Sequence, residues 1–95
     1  MDKNTGSSLP LKKGRGRWEI IRDILNAIQE DRKVKKTRLM QKAYLDWRTF
    51  NRYFEYLLND GFLIECKNNE CFELTNRGSE LLNKLKDVED VLDQT

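Results

Sequence analysis

The chain has no histidine, only two cysteines and a single proline. Without histidine it lacks the side chain best suited to general base work near neutral pH, and Ser7, Ser8 and Ser79 have no visible base partner. Cys66 and Cys71 alone cannot complete a four-ligand zinc site within one chain, so neither metal nor cofactor is expected. A Gly-rich phosphate loop is missing as well. An enzyme is therefore the weakest of the function classes, and no small-molecule ligand is evident. One proline and five glycines exclude a loop-rich or low-complexity chain. No apolar run approaches the ~20 residues that span a membrane. The opening MDKNTGSSLPLKKGRGR has no apolar core of a secretory signal. A cytoplasmic protein is the expectation.

What the chain does have is charge and aromatic rings. Its 95 residues suit one domain with a modest core. Residues 1–60 carry 14 Lys/Arg against 8 Asp/Glu, whereas residues 61–95 carry 4 against 8. The net charge of +2 thus hides a basic portion and an acidic one. The basic excess concentrates in residues 32–52, where eight cations face Asp46 alone. Such polarity suits an anionic partner on one side, nucleic acid above all; a solvated basic face is the plainer alternative. The aromatics are equally concentrated. Trp47, Phe50, Tyr53, Phe54, Tyr56 and Phe62 are six of the nine in the chain.

Residues 1–15 read as a disordered basic tail and 16–95 as the folded domain. Trp18, Ile21, Ile24, Leu25 and Ile28 recur at helical spacing, widened by Ile20 and Ala27, which predicts an amphipathic helix over 18–32. Thr37 is a candidate N-cap for a short second helix with Leu39, Met40 and Ala43 inward. Asp46 is the expected N-cap of a third helix over 47–59, stopped by Gly61. Its inward stripe is Phe50, Phe54, Leu57 and Leu58, flanked by Tyr53. The period then changes to two. FLIEC and CFELT form a hairpin around KNNE, with Leu63 facing Leu74 and Cys66 facing Cys71. A last helix carries Leu81, Leu85, Val88 and Leu92 at heptad spacing. The fold class is α+β, mainly α: three helices, a two-stranded wing and a C-terminal helix.

The segment KKTRLMQKAYLDWRTFNRYFEYLLNDGFLI resembles the helix-turn-helix and first wing strand of archaeal winged helix-turn-helix DNA-binding proteins. FELTNRGSELLNKL is similar to their second wing strand and following helix. The likeness spans roughly residues 17–95. It is closest to a small group that includes chromatin-associated proteins dimerising through a C-terminal antiparallel coiled coil. The resemblance implies a DNA-binding homodimer, a transcription regulator or a nucleoid-associated protein, joined through Leu81, Leu85, Val88 and Leu92. With about three heptads from Gly78 onwards, a dimer that also uses the first helix is easier to stabilise. The acidic DVEDVLD suggests that the last helix faces away from nucleic acid.

On this reading the third helix enters the major groove of double-stranded DNA. Arg48, Asn51, Arg52 and Glu55 share its outward face. Arg can grip guanine and Asn adenine, or the arginines can hold phosphates. Lys36, Thr37, Arg38 and Lys42 are candidate phosphate contacts around the second helix, extended by Lys33 and Lys35. Trp47 either packs on the preceding turn or lies on the sugar–phosphate backbone. Lys67, Asn68 and Asn69 could reach DNA from the wing, although Glu65, Glu70 and Glu73 surround them. The stretch KKGRGR resembles a minor-groove arm, or is a solubilising tail. Cys66 and Cys71, opposed on the outward wing face, are close enough for a redox-dependent staple; two reduced thiols are the plainer reading. The competing function is a winged-helix protein-interaction module whose aromatic helix docks a partner protein.

Overall fold

A computed structural model describes residues 15–31, 34–66 and 71–93. The order is α1 (Arg17–Glu30), α2 (Lys36–Lys42), α3 (Trp47–Asn59), β1 (Leu63–Glu65), β2 (Phe72–Leu74) and α4 (Asn76–Asp93). Among the described residues no helix is long and apolar enough to cross a membrane. The strands pair antiparallel, Leu63 with Leu74, Ile64 with Glu73 and Glu65 with Phe72, the register that the alternating pattern predicts. Val34, unassigned by sequence pattern, adds an isolated bridge on the other edge of β2, where Phe72 N–H donates to its carbonyl at 3.1 Å.

Helix α1 is the central support. Ile20, Ile21, Ile24, Leu25, Ala27 and Ile28 are all buried, full burial of each isoleucine or leucine contributing about 1.5–3 kcal/mol. Trp18, grouped with that stripe by spacing, is instead 59% exposed, because it sits in the first turn beside the outer part of α4. The helix ends at Glu30, short of Arg32, with Asp31 N–H closing on the Ala27 carbonyl. Helix α2 has only seven residues, too few to persist alone. The buried Leu39 and Ala43 hold it. Thr37 does not cap it: the N-cap position is Lys35, which makes no side-chain cap, and Thr37 lies exposed in the first turn.

Helix α3 follows its sequence signals closely. Asp46 accepts from Thr49 N–H at 3.1 Å, and Phe50, Phe54 and Leu57 are buried. At the other end Gly61 N–H donates to Leu58 and Phe62 N–H to Leu57, with Gly61 at φ 81°. This is a Schellman motif, whose left-handed residue is usually glycine. A ring column runs from α3 into the wing: Phe50 stacks on Phe54 at 5.1 Å, and Phe54 meets Phe72 edge-on at 4.7 Å.

The LTNRG stretch closes the fold. Thr75 Oγ1 donates to the Gly61 carbonyl at 2.6 Å and accepts from Gly78 N–H at 3.1 Å, joining the end of α3 to the start of α4. Thr75 N–H reaches the Phe62 carbonyl at 3.1 Å. Arg77 donates to the Asp60 carbonyl at 3.1 Å and lies 4.5 Å from the centre of the Phe62 ring. Gly78 leaves no room for a side chain, since a Cβ there would stand 2.1 Å from the Phe62 carbonyl oxygen.

Cys66 and Cys71 form a disulfide with Cα atoms 5.2 Å apart. This corrects the plainer reading of two reduced thiols. Cys71 is also buried rather than on an outward face. The bond lies just beyond a ladder of three residue pairs, where backbone pairing alone is weakest.

Gly78→Ala should lower stability by about 1–3 kcal/mol in urea denaturation, because the obstruction is backbone and cannot swing aside. A variant as stable as wild type would show that α4 does not approach Phe62 this closely.

Candidate nucleic-acid interface

Helices α2 and α3 form a helix-turn-helix whose outer surface carries most of the predicted contacts. The first cation of α2, Lys36, is folded inward. Its Nζ lies 5.2 Å from the Trp47 ring centre and 5.0 Å from that of Phe54, and 3.8 Å from Glu55. Lys36 thus ties α2 to α3 rather than standing free. Trp47 divides its area in a corresponding way. Its ring is tilted against Phe50 at 6.1 Å, yet the residue remains 52% exposed.

Two further cations of α2 face the carboxylates that end α1. Lys42 lies 3.8 Å from Glu30 and 3.9 Å from Asp31, and Arg38 lies 3.9 Å from Asp31. Such long surface pairs contribute about 0–1 kcal/mol. A phosphate could displace them at little cost, so they hold the side chains near the surface without committing them.

Arg48 and Arg52 differ. Both are exposed on α3, and neither has a carboxylate at ion-pair distance among the described residues. Arg52 lies 5.6 Å from the centre of the Tyr53 ring, which leaves its N–H edge available. Glu55, which spacing places near Arg52, is turned to Lys36 instead. Asn51, expected outward, is only partly exposed, and its Oδ1 is buried without a hydrogen-bond partner among the described residues. The α3 face therefore presents two guanidiniums flanking a recessed amide.

Lys67, Asn68 and Asn69 lie outside the described residues, as do Lys33 and residues 1–14. Arg15, assigned to the tail by composition, is instead part of the fold. One of its terminal nitrogens donates to Asp23 at 2.6 Å and to the Ala43 carbonyl at 2.8 Å; the other reaches the Tyr44 carbonyl at 2.8 Å. Sequence reasoning missed it because a guanidinium binding carbonyls leaves no periodic trace. It also missed Tyr44, whose φ is 55° and which is 87% exposed in the turn between α2 and α3. A left-handed non-glycine residue costs about 1–2 kcal/mol. The signal was available only as the absence of a glycine where α2 must stop.

On the last helix, Leu81 and Leu85 pack against the domain's own core, whereas Val88, Val91 and Leu92 are more than half exposed. The predicted dimer seam is therefore split. Its outer half joins Trp18 around a groove of about 550 Å³, bordered by Arg22 and Glu89, which pair across α1 and α4.

Comparison with known proteins agrees with this architecture. The family described as winged helix-turn-helix matches residues 14–93. The uncharacterized protein MJ0287 of the archaeon Methanocaldococcus jannaschii is 40% identical over 78 residues, covering 82% of this chain and 77% of its own. A second protein of that organism, MJ0290, is 39% identical over 87 residues; the match covers 92% of this chain but only 39% of that protein. Among solved structures, Sso10a-2, a DNA-binding protein from Sulfolobus solfataricus, shares the fold with a TM-score of 0.73 over 84% of each chain, at 24% identity.

Helix α3 also carries a titratable cap. Hydrogen bonds from the Thr49 side chain and backbone hold the Asp46 pKa below its ordinary value of 3.8. A lowered folded-state pKa means that the cap contributes fully above that ordinary value and is lost as pH falls through the depressed one. Asp46→Ala should lower the thermal midpoint at neutral pH, and the gap to wild type should narrow at the acid end. A gap that stays constant to below pH 3 would show that the carboxylate charge has no part in the cap.

Proposed function

Because the chain belongs to the winged helix-turn-helix family, we propose that it binds double-stranded DNA as a homodimer, with α3 in the major groove. The observation that carries this reading is the pair of exposed arginines on α3 that lack a carboxylate among the described residues. Guanidiniums in that state gain the most from phosphates or guanine edges, because no internal ion pair is lost on binding. Arg38 and Lys42 add phosphate contacts by exchanging their long surface pairs. The DNA-binding character of Sso10a-2, which has the same fold, favours the same assignment. The role is that of a transcription regulator or a nucleoid-associated protein.

The dimer uses the outer half of α4. Val88 at 55% and Leu92 at 64% exposure border one groove with Trp18 at 59%, and Val91 on the same helix is 62% exposed, more apolar surface than a charged 95-residue domain needs to leave in water. A second copy placing the same surface against it would cover both at once, as an isologous contact requires. With α1 contributing Trp18, the short α4 need not act as an independent coiled coil.

Two measurements test this reading. Arg48→Ala combined with Arg52→Ala should weaken binding to a labelled duplex by about tenfold or more at fixed salt, and should flatten the log–log salt dependence by about two phosphate equivalents. Unchanged affinity in the double variant would remove α3 from the interface. Separately, Val88→Glu should convert a dimer to a monomer in light scattering without lowering the helical circular dichroism signal. A wild-type chain that is monomeric at high concentration would refute the α4 contact.

A further inference from the structure

Two helices of this chain end in the same way, with one difference. In α3 the left-handed residue of the Schellman motif is Gly61. In α2 the equivalent bonds run from Tyr44 N–H to the Gln41 carbonyl and from Leu45 N–H to the Met40 carbonyl, at 3.1 and 3.2 Å. The left-handed residue there is Tyr44, at φ 55°. Glycine takes this conformation without steric penalty, so a tyrosine is the wrong choice for stability alone.

Nor does the ring recover the loss by packing. At 87% exposure Tyr44 is the most exposed large apolar side chain among the described residues. The display is also fixed rather than loose. Arg15 binds the carbonyls of Ala43 and Tyr44 while anchored to Asp23 of α1, which over-determines the turn. A strained backbone, a ring given to solvent and a three-point clamp from outside the turn together describe a side chain held out for a partner. Its position indicates which partner. Tyr44 stands three residues before Trp47, the first residue of α3, and four before Arg48. Tyr44 thus stands exposed in the turn that leads into the end of α3 carrying Arg48.

We propose that Tyr44 contacts the sugar–phosphate backbone of the duplex beside the groove that α3 enters. Its phenol donates to a phosphate oxygen and its ring lies against the sugar. This rests on the reading of α3 as the groove-entering helix. Arg15 acts as a positioning residue: it sets the turn and touches no DNA itself. The contact fixes the docking of the helix-turn-helix without reading bases.

The test uses opposed signs. Tyr44→Gly relieves the backbone and removes the ring, so the full-length variant should melt no lower than wild type, yet bind a labelled duplex about three- to tenfold more weakly by fluorescence anisotropy. Tyr44→Phe should fall between the two in affinity. Affinity equal to wild type in Tyr44→Gly, while Arg48→Ala still weakens binding, overturns the Tyr44 contact and leaves the α3 reading standing. Failure of wild type to bind duplex, or indifference to Arg48→Ala, removes the reading on which the proposal rests. Joint loss of melting temperature and affinity in Tyr44→Gly would mean that the residue serves the fold. A change in oligomeric state on light scattering would mean that it serves the dimer.

Discussion

The fold depends on how closely α4 approaches the turn that ends α3. Gly78 brings backbone against the Phe62 carbonyl at a distance no side chain permits. Thr75 and Arg77 fasten the same turn through Gly61 and Asp60. This junction sets the direction of β1, which leaves the turn at Leu63, and of α4, which must return across α1 so that Leu82 is fully buried. The wing then has one place to lie, with Phe72 against Phe54. Leu-Thr-Asn-Arg-Gly, which reads as a family pattern, therefore has a mechanical basis: a cap, a cation over a ring and a missing Cβ, all directed at one turn.

The cations are told apart by their packing rather than by their number. The eight cations of residues 32–52 are not equivalent. Lys36 is absorbed between two rings, and Arg38 and Lys42 rest against the carboxylates that finish α1. On α3, Arg48 and Arg52 stand exposed without such partners among the described residues. A basic segment in the sequence thus resolves into an internal tie, a lightly held rim and an open face. The rim pairs are weak because they are long and solvated, so breaking them costs little.

Legibility followed the range of the interaction. The inward faces of α1 and α3, the Asp46 cap, the Gly61 stop and the hairpin register were all legible, because each depends on residues close in sequence. The Thr37 cap failed because α2 begins at Lys36, two residues before the Arg38 start that a Thr37 cap implies. Trp18 belonged to the right periodicity, but its turn lies where α4 does not cover it. Leu81, Leu85, Val88 and Leu92 share one heptad pattern, yet the domain's own core takes the first two. Periodicity marks an apolar face without saying whether one partner or two will cover it. Asn51 likewise sits at the correct spacing for an outward residue, and only its depth beside the neighbouring side chains recesses its oxygen.

By itself the sequence determined the kinds of element, their order and the stripe each turns inward, since helical and strand periods and helix caps act over a few residues. It also determined that the helix-turn-helix segment is basic. The tertiary structure alone decided which cations remain available, that Cys66 and Cys71 are joined, and that Arg15 leaves the tail to clamp the α2–α3 turn. The Arg15 clamp depends on distances between residues remote in sequence, and the free cations on an accessibility that only packing defines; the cysteines, five residues apart, were legible as a possible pair but not as a joined one. Tyr44 combines the two levels: its identity is a local misfit, and its meaning comes from what surrounds the turn.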